Sequence, residues 1–376
     1  PEIETIVVMG NVQSGKSMVL ELWSTFIPAR CAGPTLLLQD VDLNAQDWQQ
    51  TRLRPLWDAT PETKSKLNQA DRAKWHTTQF ERNTCWVLGA ENERNLQRRS
   101  IRFLGMDECW QYSKGRIKQA MARRTAFTWQ GKTVAVSQGG FEGDDFTELW
   151  NTSDRREWMF KCPHCGERQA FEWTQIKYPE GAKKDGQWDY DAVREGTTYA
   201  CKKCDHRFAD RNSIRTEMLN GAEFVPQNPN APKGRVGFHF NALTMLWGLS
   251  WGDLAVECIE AADAYEQHGE DTKRKDFKQK RLALPWSDEP EDVGGEVLPS
   301  GYRMEQEWDE EGAVVDGRLT PPPFTPELRG KHSFIKLRFM AIDVQRKGFF
   351  YIVRSWSADG KSRMIRWQYV DTWEQL

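Results

Sequence analysis

Residues 10–17 read Gly10, Asn11, Val12, Gln13, Ser14, Gly15, Lys16 and Ser17, a G-x-x-x-x-G-K-S run with every required position filled. Glycines let the main chain approach an anion closely, the amides around them can cradle a phosphate, and Lys16 can reach the β- and γ-phosphates of ATP. The Ser17 hydroxyl is a hard oxygen ligand for Mg²⁺ beside those phosphates. Hydrolysis also needs an acid at the end of a neighbouring strand to hold the metal, and often a second to polarise water. The apolar run 101–106 leads into Asp107 and Glu108, the candidate metal ligand and the candidate general base. A kinase acting on a small acceptor has no need of that adjacent Glu.

A second chemistry resides in the eight cysteines. Cys162, Cys165, Cys201 and Cys204 form two C-x-x-C pairs with residues 166–200 between them. Four thiolates suit tetrahedral Zn²⁺ and leave no open coordination position, which makes the metal structural. A redox-active dithiol is the competing reading, without its usual βαβ setting. Gly166 and Asp205 are placed for tight turns, and hairpins over Phe171–Tyr178 and Trp188–Tyr199 are expected to fill the spacer. Cys31, Cys85, Cys109 and Cys258 read as small buried apolar residues. The sequence shows no signal-peptide pattern, so a reducing cytosol is the expected compartment.

The elements that position these groups follow from apolar patterning. Residues 3–9 run apolar into Gly10, and Val19, Leu20, Trp23, Phe26 and Ile27 then recur at helical spacing, predicting strand, loop and helix. Apolar runs at 35–38, 85–88, 101–106 and 133–136 alternate with polar stretches able to form helices, the rhythm of a parallel α/β sheet. A helical stretch is expected over 252–282. Acids, Gly294, Gly295 and Pro321–Pro323 mark 287–331 as a linker. Strands follow from near Lys336, at Phe349–Trp356 and at Met364–Val370, the last two joined by a tight turn over Ser357–Gly360.

The 376 residues suffice for two or three domains. With 39% hydrophobic and 28% charged residues a disordered chain is excluded, and no apolar run approaches the roughly 18 residues of a membrane span. Lys plus Arg number 52 against 55 Asp plus Glu, so any grip on nucleic acid must come from a local patch. Starting at Pro1 and stopping at Leu376 in what reads as mid-sheet, the chain is expected to be a piece of a longer protein.

Several residues carry weaker signals. Ser137 and Gln138 follow the run 133–136, where a γ-phosphate sensor or an ordinary polar turn fits equally. Arg98, Arg99, Arg123 and Arg124 are candidates for a charge-stabilising arginine. Lys273, Arg274, Lys275, Lys278, Lys280 and Arg281 could track DNA phosphates or form a solvated helix face. Asp343, on the first late strand, proves little alone.

Taken in order, the phosphate loop, Asp107-Glu108, the double C-x-x-C, the basic helix and the strand with Asp343 resemble the large terminase subunit of tailed phages, of the lambda type. The most specific stretches are 160–169 (FKCPHCGERQ), 237–240 (GFHF) and 341–345 (AIDVQ). The resemblance implies an ATPase that drives double-stranded DNA into a procapsid in the host cytoplasm, with an attached nuclease that cuts the concatemer. It implies that Lys16, Ser17, Asp107 and Glu108 serve the motor, with Ser137 and Gln138 in its coupling segment. Asp343 matches the first metal-binding acid of an RNase H-like nuclease using Mg²⁺ or Mn²⁺, whose remaining acids are expected beyond Leu376. The implied partners are a small terminase subunit, the portal and further copies of the chain in a ring. Where some members place an Arg inside the phosphate loop this chain has Val12 and Gln13, and the family's adenine-contacting segment has no evident counterpart before the first strand.

The expected fold class is therefore α/β: a P-loop NTPase parallel sheet with a zinc-ribbon insertion, followed by the start of an RNase H-like nuclease domain. The expected boundaries are 1–157 for the ATPase core, 158–210 for the insertion, 211–286 for a helical subdomain, 287–332 for a linker and 333–376 for the nuclease strands. The alternative is a zinc-stapled DNA-binding P-loop protein that uses nucleotide as an assembly switch.

Overall fold

β1 (Thr5–Gly10) is buried along nearly its whole length, as its run of Ile6, Val7, Val8 and Met9 requires of a strand covered on both faces. The computed structural model that shows this describes residues 3–68, 74, 76–179, 181–184, 186–287, 313–315, 318–320, 337–345, 348–356 and 362–375. In chain order β1 is followed by β2 (Thr35–Gln39), β3 (Thr77–Phe80), β4 (Asn83–Gly89), β5 (Phe103–Met106), β6 (Lys132–Ser137), β7 (Arg156–Lys161) and β8 (Arg168–Ala170). Five short strands lie around the cysteines: β9 (Ile176–Lys177), β10 (Lys183–Lys184), β11 (Gln187–Trp188), β12 (Thr198–Ala200) and β13 (Arg207–Ala209). β14 (Glu223–Pro226) and β15 (Arg235–Phe240) then return the chain to the main sheet.

That sheet has ten strands among the described residues, ordered β14-β7-β15-β1-β6-β5-β2-β4-β3, with β8 paired to β7. The run from β15 to β4 is parallel, and β3 and β14 pair antiparallel. α1 (Lys16–Arg30) covers one face, where Leu20 joins Val8, Leu37 and Trp57 in a core. On the other face Val7, Met9, Leu38 and Met106 pack with Phe146, Leu149 and Trp150 of the helix Asp145–Asn151. All parallel strands therefore end at one edge, where β1 delivers Gly10, β5 delivers Asp107 and β6 delivers Ser137.

Residues 211–286, expected to be helical, also carry β14 and β15, and β15 is the direct neighbour of β1. Its Val236, Gly237 and His239 are buried, and Phe238 and Phe240 are half-buried, so the segment fits a central parallel position. The helices here are Asn212–Leu219 and Trp251–His268, the latter opened by a capping box in which Ser250 and Asp253 bond reciprocally. Trp251, fully buried, packs with Tyr199, Phe160, Phe171 and Phe277, so the cysteine-bearing module and the helical segment share one core. The expected second hairpin over Trp188–Tyr199 is instead largely the helix Tyr190–Gly196, capped by Asp189, which accepts from the Ala192 N–H. Over Phe171–Tyr178 a 3₁₀ turn leads into β9, which pairs with β12.

The chain divides into two compact units, Pro1–Asp288 and Glu289–Leu376. The expected linker falls largely outside the described residues, which within it include only Ser287 and the antiparallel pair β16 (Ala313–Val315) and β17 (Arg318–Thr320). The second unit also holds an antiparallel meander of β18 (Leu337–Gln345), β19 (Gly348–Trp356) and β20 (Ser362–Val370). The expected turn at Ser357–Gly360 lies outside the described residues.

Candidate nucleotide site and cysteine cluster

Gly10 closes β1 with no room for a side chain, because a Cβ there would lie 2.5 Å from the Phe240 ring of β15. Gly15 has φ +82°, a left-handed conformation that glycine adopts without penalty, and α1 begins at the next residue. Between them the loop is braced by the Ser14 hydroxyl, which donates to the Asn11 carbonyl at 2.6 Å. α1 therefore opens at the end of β1 where the parallel strands finish, and a helix N-terminus so placed is an anion-binding arrangement.

The two acids meet this loop. The Ser17 hydroxyl donates to Asp107 Oδ1 at 3.1 Å, and Gln39 Nε2, at the end of β2, donates to Oδ2 at 2.9 Å. Burial, then the neighbouring Glu108 charge, pushes the Asp107 carboxyl up to about 6, against the pull of Ser17, Gln39 and Lys16. A buried acid whose charge is incompletely balanced, beside a hydroxyl, is a donor set suited to a hard divalent cation. Glu108 stands in a left-handed backbone conformation at φ +49°. Its Oε1 lies 3.6 Å from Lys16 Nζ, and its Oε2 accepts from the Trp110 indole at 3.0 Å.

Ser137 and Gln138 sit at the same edge, since Ser137 pairs with Met9. The Ser137 hydroxyl accepts from the Trp110 N–H at 3.1 Å, while the buried Gln138 Nε2 has no hydrogen-bond partner among the described residues. The Asn11 Oδ1 is likewise buried with no partner among the described residues. Sequence patterning missed Gln39 and Trp110. Gln39 is legible as the polar residue that ends an apolar strand, whereas nothing in the spacing marks Trp110.

A segment at the end of the basic stretch straps these loops together. The Val12 N–H donates to the Lys280 carbonyl at 2.9 Å, and the Gly139 N–H to the Gln279 carbonyl at 3.2 Å. The Gln279 side chain, 1% exposed, donates to the Gly140 carbonyl at 2.5 Å. The basic residues themselves are largely engaged: Arg281 with Glu257, Lys280 with Asp276, Arg274 with Asp271, and Lys275 and Lys278 over the rings of Phe141 and Trp286.

His239 clamps the strap to the sheet. Its Nδ1 lies 2.6 Å from Glu157 Oε2 and its Nε2 3.1 Å from the Leu282 carbonyl, so an imidazolium satisfies both acceptors. Burial alone would expel the proton, but Glu157 and the Leu282 and Ala283 carbonyls outweigh it and raise the pKa. The stabilisation is complete below the unfolded value of about 6.5 and is lost as pH rises through the raised folded value. The melting-temperature advantage of wild type over His239→Gln is thus expected to shrink as pH is raised from 6 to 9. A difference independent of pH would contradict the charged clamp.

Arg124 does not reach the nucleotide edge. It is buried and donates to Thr133, which pairs with Thr5 at the start of β1, and to Gly131. At about 3.3 Å per residue that end lies some 15 Å or more from Gly10. Arg123 adjoins it, with its carbonyl accepting from Ile101. Arg99 lies over Trp86, and Arg98 is exposed.

The four paired cysteines converge, with every Sγ within 4.8 Å of the others. Cys162 to Cys204 spans 4.0 Å and Cys165 to Cys201 3.7 Å. Thiolates at tetrahedral corners about 2.3 Å from a metal stand about 3.8 Å apart, so the cluster fits a four-thiolate centre better than two separate dithiols. The two knuckles are built alike. The Gly166 N–H returns to the Cys162 carbonyl at 2.8 Å and the Asp205 N–H to the Cys201 carbonyl at 3.0 Å, each turn residue having positive φ. Gln169 Nε2 donates to Cys201 Sγ at 3.1 Å, an outer contact that favours a thiolate. Of the scattered cysteines, Cys85 and Cys109 are buried as expected, but Cys31 and Cys258 are only half-buried.

Asp343 lies exposed on β18 opposite Phe350. Among the described residues it joins no group of three or more metal-ligating side chains. No described helix is long and apolar enough to cross a membrane.

Residues 1–223 match the family described as phage terminase large subunit gpA, ATPase domain, and residues 235–374 that described as terminase large subunit gpA, endonuclease domain. The second match begins inside the first unit, at β15 beside β1. Among solved structures, the ATPase domain of the Thermus phage P74-26 large terminase is 12% identical over 76% of this chain and 89% of that chain, with a TM-score of 0.40. The HK97 bacteriophage large terminase is 9% identical, with a TM-score of 0.41, over 96% of this chain and 58% of its own length. No curated protein matches the sequence. With both family domains matched in order over most of its length, the chain belongs to the phage terminase large subunit gpA family.

Proposed function

We propose that this chain is the ATP-hydrolysing motor of a viral DNA-packaging terminase, moving double-stranded DNA into a procapsid, with an attached endonuclease that cuts the concatemer. The observation that carries this reading is the meeting of Lys16 and Ser17 with Glu108 and Asp107 at one sheet edge. The phosphates would lie against the amides at the start of α1, with Lys16 exchanging Glu108 for a phosphate oxygen. Ser17 and Asp107 would hold Mg²⁺, which when bound neutralises charge on the phosphate oxygens. Glu108 takes the proton of the attacking water, and the Gln138 Nε2, without a partner among the described residues, suits a γ-phosphate oxygen. Loss of that phosphate would be felt by the strap at Gln279 and Lys280, and so by the helical segment leading to it.

The four-thiolate cluster is proposed to hold structural Zn²⁺, and Asp343 to be the first acid of a site for Mg²⁺ or Mn²⁺. The small terminase subunit, the portal and a ring of copies in the host cytoplasm are the proposed partners and setting. Duplex DNA is expected to raise steady-state ATP turnover by the intact protein. Nucleotide-dependent assembly without steady turnover would instead favour a zinc-stapled DNA-binding protein that uses ATP as a switch.

A further inference from the structure

We propose that Trp110 is a positioning residue for hydrolysis, fixing the Glu108 carboxylate and linking it to the loop after β6. The inference rests on the ATP-hydrolysis reading and concerns how its general base is aimed. The Glu108 side chain is 30% exposed, so packing does not enclose its carboxylate and its direction depends on the polar contacts it makes. Two contacts restrain it: Lys16 at Oε1, and the Trp110 indole N–H at Oε2. Lys16 is the group that a triphosphate recruits, so with ATP bound the indole becomes the principal restraint. A charge-assisted bond from a planar, half-buried ring fixes direction as well as distance.

Trp110 is itself fixed from the sensor side. Its main-chain N–H donates to the fully buried Ser137 hydroxyl at the end of β6. Its Cβ also borders Gly140, where an added Cβ would meet the Asp144 carboxylate first and then lie 3.3 Å from that of Trp110. Gly140 in turn accepts from Gln279 and from the Trp286 N–H, so one residue meets the base through its indole and the sensor strand through its main chain, and lies beside the glycine that holds the strap. A shift of this loop on loss of the γ-phosphate would turn the indole, and the carboxylate with it.

The test replaces only the N–H. Trp110→Phe, and site-specific 3-benzothienylalanine, which keeps the ring shape, are compared with wild type and Glu108→Gln in the intact protein. Both Trp110 changes are expected to lower kcat by about ten-fold or more, with KM, affinity for a non-hydrolysable ATP analogue and melting temperature nearly unchanged. In the Glu108→Gln background they should cause no further loss, because the acceptor they aim is already neutral. Wild-type kcat for the benzothienyl protein, or losses that multiply fully with Glu108→Gln, would overturn the positioning role. Full activity of Glu108→Gln would instead overturn the assignment of the base itself.

Discussion

Glu108→Gln is expected to lower ATP turnover by about 10²–10⁴-fold while nucleotide binding survives. That loss corresponds to roughly 3–5 kcal/mol of barrier, the usual worth of a well-placed base. The amide keeps the size of the side chain and can still meet Trp110, so the fold has no reason to change. It also removes the ion pair with Lys16, which in the free protein competes with phosphate for the same ammonium. Affinity for ATP analogues should therefore hold or rise while single-turnover hydrolysis collapses. Turnover within two-fold of wild type would mean that another group activates the water.

Cys201→Ser is expected to abolish stoichiometric metal and to loosen more than the knuckles. Metal binding of this kind is folding free energy, of order 10 kcal/mol in small four-ligand modules. The module shares its core with the helical segment: Tyr199 packs on Trp251 and Trp173 on Phe277. Hydrogen exchange should rise across 158–209 and extend into Trp251–His268, while β1 and β6 stay protected. Because Phe277 opens the helical turn Phe277–Arg281 that carries the strap residues Gln279 and Lys280, ATP turnover should fall as well, though far less than in Glu108→Gln. One equivalent of Zn²⁺ retained by Cys201→Ser would refute the four-thiolate centre.

The phosphate loop was legible because its chemistry is local: eight consecutive residues fix the turn, the helix start and the lysine. The two acids were legible for a similar reason, as the polar end of an apolar strand. What patterning could not supply is adjacency across long separations. β15 carries Gly237 and His239 among its apolar residues and follows the whole cysteine module, so nothing nearby in sequence says that it pairs with β1. The helix Tyr190–Gly196 carries a start signal in Asp189, but the aromatics that flank it favour a strand on pattern alone. Charge alone does not give place: Arg124 bonds at the start of the central strand β6, at the opposite end from the phosphate loop. The indole of Trp110 gains meaning only once Glu108 and Ser137 are seen on either side of it.

The central claim is a main-chain cradle that binds a triphosphate against Asp107 and Glu108, and a structure with Mg²⁺ and a non-hydrolysable ATP analogue tests it most directly. The account predicts phosphates against the amides of 13–17, Lys16 Nζ moved from Glu108 to a phosphate oxygen, and the cation shared by Ser17 and Asp107. An analogue bound elsewhere, or a Lys16 still paired with Glu108 beside an empty loop at saturating nucleotide, would contradict it.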